Sequence, residues 1–187
     1  TAAYYASLEY ARERPQGRKI NNTGTKDVSS EQTLIINHPD VKRMLYLQKA
    51  IAEGGLSLIL QTSMYHDLEK ISEGEEKENY HLLLELLTPI SKTYPSEMGI
   101  VSVSNGVQVL GGYGFCQDFV LQQYYRDIRI FALYEGTTGI QSLDLLGRKV
   151  NLKNGKAAQL FVGEITKTIK EAMQHEEIKE YTQNGRT

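Results

Sequence analysis

An all-α fold is predicted for this chain, an up-and-down helical bundle of the four-helix type with an additional C-terminal helix. Three observations carry the prediction. Apolar residues recur at three- and four-residue spacing in several long segments, no segment of that length alternates with period two, and Pro, Gly or polar stretches separate the segments. The size permits such a fold, since 187 residues, 40% of them hydrophobic, can bury a core without disulfides or a structural metal. The single Cys116 excludes an internal disulfide and any paired-cysteine redox or zinc motif. With 21 basic against 23 acidic residues and a net charge of −2, there is no electrostatic footprint for nucleic acid or anionic lipid. No apolar run approaches the roughly 20 residues that span a bilayer.

The first helix carries Tyr4 or Tyr5, Leu8 and Ala11 on one face and stops at Pro15 and Gly17. Residues 18–37, rich in Lys, Asn, Thr, Ser and Gly, read as a long polar loop. A second helix starts at His38-Pro39-Asp40, where Pro suits the first turn and Asp the positive end of the dipole. Val41, Met44, Leu45, Gln48, Ile51, Ala52, Gly55, Leu58 and Ile59 mark its continuous face. The charged stretch 69–78 reads as a solvated connector, followed by a helix carrying Leu82, Leu83, Leu86, Leu87 and Ile90. Pro95 is expected to break the chain, with Ser96 as N-cap and Glu97 in the first turn of a helix ending at Gly111-Gly112. Further helices are expected over 119–129 and 137–149, and a last amphipathic one over 156–175. The chain begins inside a helix without Met, so it reads as part of a longer protein whose leader, if any, is left open.

Several motifs carry little. Gly112-Tyr113-Gly114 lacks the third glycine and the preceding strand of a dinucleotide fingerprint. His38, His66, His81 and His175 never pair at metal-ligand spacing, so no metal site is expected. The sequon Asn21-Asn22-Thr23 is read as chance. Arg148, Lys149, Lys153 and Lys156 form a basic run, read as a solvated helix end with a phosphate contact as the alternative.

The stretch from Tyr125 to Gln141 is different. Glu135 follows an apolar run and directly precedes Gly136 and the N-cap candidate Thr137, so the chain turns there. A turn projects the carboxylate out of the helical ladder, and the flanking Leu133 and Tyr134 can exclude water from it, which disfavours the charged form and strengthens a base. A solvated surface turn is the competing reading of the same residues.

Two motifs in order, Gln108-Val109-Leu110-Gly111-Gly112-Tyr113-Gly114-Phe115 and then Tyr125-Arg126-Asp127 leading to Tyr134-Glu135-Gly136-Thr137, make the chain resemble the C-terminal helical domain of the acyl-CoA dehydrogenases. The resemblance covers residues 1–150, and residues 151–187 look like the start of the C-terminal extension of larger members. It implies FAD-dependent α,β-dehydrogenation of an acyl-CoA to the 2-enoyl-CoA, with Glu135 taking the α-proton and its backbone N–H helping to stabilise the thioester oxygen.

By the same resemblance, Gln108, Val109, Leu110, Gly111 and Gly112 would reach the flavin of a neighbouring subunit, and Thr137, Thr138 and Gly139 that of their own. Gly136 matches a substrate contact. Glu13-Arg14-Pro15-Gln16-Gly17 is similar to the family's Glu-Arg-x-x-Phe-Gly, whose Arg touches flavin, but is one residue shorter and lacks the Phe. A family substrate-binding Arg in the last helix has no match, since position 147 is Gly. The implied partners are acyl-CoA, an electron-transfer flavoprotein or similar acceptor, and further copies in a homodimer or homotetramer. The bacterial cytoplasm is the expected location, with the mitochondrion open. The chain alone is expected to be inactive. An acyl-CoA oxidase, a DNA-associated stress-response relative and a non-catalytic assembly module are the alternatives.

Overall fold

The computed structural model describes residues 1–18, 24–25, 29–178 and 181; the sequon at 21–23 lies outside them. Six α-helices follow one another among the described residues: α1 (Ala2–Glu13), α2 (Pro39–Ile71), α3 (Gly74–Leu110), α4 (Leu121–Ile128), α5 (Thr138–Gly147) and α6 (Leu152–Ala172). The described residues hold no strand, only an isolated antiparallel bridge between Pro15 and Leu34. The class is all-α, as the periodicity predicts.

The helices form two compact units, Thr1–Ile59 with Ser91–Thr138 and Leu60–Ile90 with Gly139–Thr187, and α2 and α3 contribute to both. In the first unit Gly54 faces Tyr94 and Gly55 faces Pro95. In the second, Tyr65 stacks on Tyr80 and Glu69 pairs with His81. In the first unit Gly106 faces Gln48 while Pro95 faces Gly55, so α3 falls as α2 rises and the two helices run antiparallel there.

The core of the first unit gathers Ala3 and Ala11 of α1, Met44 and Leu45 of α2, Val103, Val109 and Leu110 of α3, and Leu121 of α4. A fully buried leucine such as Leu121 contributes about 2 kcal/mol. Close approach is allowed by Gly99, where a Cβ would lie 2.7 Å from the Ile128 side chain, and by Gly106, where it would lie 2.8 Å from the Ser7 hydroxyl. That hydroxyl donates to the Ala3 carbonyl at 2.7 Å. In the second unit Leu82 and Leu86 of α3 meet Ala157 of α6, with Leu145, Val150, Leu152, Leu160 and Phe161 around them. Residues beyond 150 are therefore built into that unit's core.

Two expectations fail in α3. The helix does not break at Pro95 but runs unbroken through it, and Ser96 is not an N-cap: its hydroxyl donates to the Lys92 carbonyl at 2.6 Å, one turn back. An internal proline costs about 3 kcal/mol in lost hydrogen bonding and steric conflict. The buried residues on both sides of Pro95, from Leu82 to Leu110, outweigh that cost. Nor is 69–78 a connector. Only Ser72 and Glu73 separate α2 from α3, and the charges lie on helical turns, with Lys70 closing α2 and Glu75 and Glu76 opening α3 in keeping with the dipoles.

Of the basic run, Arg148 and Lys153 are exposed as a solvated end would be, but Lys149 is not. Lys149 is buried and paired with Glu85, Lys153 meets Glu78 at 2.9 Å, and Lys156 meets Glu75 at 3.3 Å. Carboxylates thus neutralise the run that the sequence left open to phosphate. Lys153, Asn154 and Gly155 carry positive φ of 50°, 57° and 85°, so regular helical geometry in α6 begins at Lys156, where the periodicity puts it.

Candidate active site

Right-handed helical backbone continues from α4 through a 3-10 turn, Arg129–Ala132, to Leu133. It then reverses: Glu135 has φ 54° and Gly136 φ 88° before α5 begins at Thr138. Left-handed backbone suits glycine but costs a residue with a Cβ about 1–2 kcal/mol. Surrounding structure must supply that, and α3 does. The Lys92 ammonium donates to the Gly136 carbonyl at 2.5 Å, and the Thr138 hydroxyl donates to the Glu97 carboxylate. Sequence reasoning gave Lys92 no role and misplaced Glu97 as a first-turn acid; contacts across 44 and 41 residues leave no signal in local spacing.

Glu135 is exposed in this chain, as are Ile130, Phe131, Leu133 and Tyr134, each between 44% and 50% exposed. Phe131 and Tyr134 stack on each other at 5.7 Å. A carboxylate residue in a bend thus follows a run of apolar residues whose surface this chain leaves uncovered. On the same unit, a groove of about 470 Å³ runs between α1, α2, α3 and α4 and reaches Ile128 and Phe131.

At the end of α3, Gly111 adopts φ 61° and opens a 3-10 turn, Gly111–Phe115. Gly114 is required by packing, since a Cβ there would lie 2.5 Å from the Val107 carbonyl oxygen. Gly112 is required by neither conformation nor packing: its φ is not positive, and a Cβ would meet nothing within 4 Å. Arg14 arrives from α1, its guanidinium carbon 5.3 Å over the Tyr113 ring. Tyr113 stacks on Phe119, and Tyr10 meets both edge-on. Arg14 and the glycine pair, distant in sequence, therefore share one surface.

Not every expected residue presents a side chain there. Gln108 is exposed, but Val109 and Leu110 lie in the core and present no side chain to an outside group. Thr137 immediately precedes α5 and is exposed, and the Thr138 hydroxyl is engaged by Glu97. Gly139 is exposed in the first turn, at the positive end of the helix dipole.

The glycine pair and Glu135 flank the twelve helical residues 121–132, a rod of roughly 18 Å at helical rise. A single planar ring system could not touch both ends of it. At the end of α3 the uncrowded Gly112 and the Arg14 guanidinium leave room and positive charge for an anionic group.

Residues 1–150 match the family model described as acyl-CoA dehydrogenase, C-terminal domain. The chain is 40% identical over 166 residues to the 3-methylmercaptopropionyl-CoA dehydrogenase of Ruegeria pomeroyi, covering 89% of this chain and 27% of that protein. Two solved structures share the fold. ACDH-11 of Caenorhabditis elegans in complex with C11-CoA matches with a TM-score of 0.74 at 20% identity, over 94% of this chain and 27% of that one. An acyl-CoA dehydrogenase of Bacillus anthracis complexed with FAD matches with a TM-score of 0.61 at 21% identity, over 93% and 28%. The chain spans about a quarter of the length of the relatives it matches. No described helix is long and apolar enough to cross a membrane. By the family model and the shared identity, this chain belongs to the acyl-CoA dehydrogenase family and corresponds to its C-terminal domain.

Proposed function

We propose that this chain is the C-terminal part of an FAD-dependent acyl-CoA dehydrogenase and that Glu135 is its catalytic base. The observation that carries the reading is the conformation of Glu135: a carboxylate residue at positive φ in a tied-down bend, directly after a run of exposed apolar residues. A surface turn under no functional demand would use glycine or asparagine at that φ and would not follow a run of exposed apolar residues such as Phe131, Leu133 and Tyr134.

When the remaining domains cover this apolar run, water leaves the carboxylate and its strength as a base rises. Glu135 then takes the proton from the carbon next to the thioester carbonyl, and its carboxyl oxygen holds that proton. The Glu135 backbone N–H, pointed by the reversed backbone, donates to the thioester oxygen where negative charge develops. Bound FAD would supply the acceptor for the hydride that leaves the β-carbon, completing the 2-enoyl-CoA. Gly136 leaves room for the substrate beside the base. Thr137, Thr138 and Gly139 would hold the cofactor of the same subunit through main-chain groups at the start of α5. Arg14 and residues 108–112 would hold that of a neighbouring copy, a division supported by the rod that separates the two stretches. We further infer a homodimer or homotetramer, electron transfer to a flavoprotein acceptor, and a cytoplasmic location.

The test is the complete enzyme with FAD, an acyl-CoA and an artificial electron acceptor. Glu135→Gln keeps the shape of the side chain but removes the base, and turnover should fall by about 10²–10⁴-fold. Turnover at the parent rate would refute the assignment.

A further inference from the structure

We propose that Lys92 and Glu97 of α3 are positioning residues that hold the Glu135 turn in its catalytic conformation; the proposal rests on Glu135 being the base. The turn has two consecutive left-handed residues, and the chain that leaves it is tied twice to the same helix. Lys92 fixes the Gly136 carbonyl, one residue after Glu135, and Glu97 fixes the Thr138 hydroxyl, at the start of α5. The two ties are made to Gly136 and Thr138, the residues that follow Glu135 and set its backbone. Both contacts join charged groups to uncharged partners, the arrangement that gives short and strong hydrogen bonds.

The origin of the clamp lies in α3. Had the helix ended at Pro95, Lys92 and Glu97 would sit on different elements with independent freedom. Because α3 continues through Pro95, one rigid helix holds the chain at two points just after Glu135. The Ser96 hydroxyl, bonded to the Lys92 carbonyl, adds a local tie within the same segment. Removing the Lys92 tie would let the Gly136 peptide rotate, and with it the direction of the Glu135 side chain and N–H. Geometry at the reacting carbon would suffer while the binding surface for the rest of the substrate stays in place.

The complete flavoenzyme tests this with Lys92→Met, Lys92→Arg and Glu135→Gln side by side. Lys92→Met should lower kcat about 100-fold, as misplacement of a reacting group by about 1 Å does, while KM for acyl-CoA stays within about threefold. Lys92→Arg, which keeps a cationic donor, should restore kcat to within about tenfold of the parent, a rescue that charge-assisted bonding requires. Hydrogen exchange at the amides of residues 134–138 should quicken in Lys92→Met and not in Lys92→Arg. If Lys92→Met does not accumulate as folded flavoprotein, Glu97→Ala carries the same expectations from the other tie. A parent-like kcat in Lys92→Met, or unchanged exchange at 134–138, overturns the proposal. If Glu135→Gln is inactive in that experiment, only the clamp has failed; if Glu135→Gln is active, the reading of Glu135 has failed instead.

Discussion

The guanidinium carbon of Arg14 lies 5.3 Å from the centre of the Tyr113 ring, which joins the end of α1 to the turn after α3. Arg14 is the residue whose motif departs most from the family pattern, one residue short and without its Phe. The tyrosine gives it a support that the shortened motif does not. A cation over an exposed ring contributes about 0.5–1 kcal/mol to the local structure, so Arg14→Ala should leave folding almost untouched. If Arg14 reaches a flavin phosphate, the same change should weaken FAD binding by about tenfold, the loss of one charge-assisted contact. Fluorescence titration of the apoenzyme with FAD reads this; equal affinity would remove Arg14 from the cofactor site.

The two neighbouring glycines should separate structure from function. Gly114→Ala forces a Cβ to within 2.5 Å of the Val107 carbonyl oxygen, an overpacking that costs about 1–3 kcal/mol. Gly112→Ala meets nothing in the chain. It should therefore keep the parent's unfolding midpoint while FAD content of the purified enzyme falls. Thermal unfolding and flavin absorbance on both variants give a crossed pattern, and a Gly112→Ala enzyme with full flavin would show that position 112 has no close visitor.

Alkaline pH should reach the second unit through Tyr65. Burial, then the nearby Glu164 carboxylate, raises its phenol above the ordinary value of 10.0, against a smaller lowering by Gln61. The folded form thus holds the proton more tightly than the unfolded form. Its contribution is fully present below about pH 10 and is lost as pH rises through the raised value. Tyr65→Phe cannot ionise, so the fall in stability above pH 10 should be shallower than in the parent. Chemical denaturation at pH 8 and pH 11 measures the difference; equal slopes would place the alkaline sensitivity elsewhere.

How much the sequence disclosed follows from the range of the forces involved. Periodicity located the helices because burial of one face repeats every three to four residues, and Gly111 announced the end of α3 because its left-handed backbone is local. Glu135 could be read as a turn for the same reason. Pro95 misled because its local cost is legible whereas the packing on either side that outweighs it is not. The charges of 69–78 misled likewise: their partners Lys153 and Lys156 lie far along the chain.

The candidate site divides along the same line. Gly111 carries a backbone signature that residue type betrays, Glu135 is marked by the glycine that follows it, and the family motifs carried the rest. Lys92 and Glu97 act through single contacts to a segment more than 40 residues away, and a lysine or glutamate on a helix is by itself an ordinary surface residue. Buried Lys149 was hidden in the same way: inside a basic run, nothing local distinguishes the one side chain that turns inward to Glu85.

Proton exchange at the substrate's α-carbon tests the central claim most directly, because it isolates the step given to Glu135 from hydride transfer and from product release. The complete enzyme with an acyl-CoA in D₂O, followed by NMR, should wash deuterium into the α-position, and Glu135→Gln should slow that wash-in by about 10²–10⁴-fold at full flavin content. Deuterium entering the variant's substrate at the parent rate would contradict the account, leaving another group as the base and Glu135 as a residue of the bend.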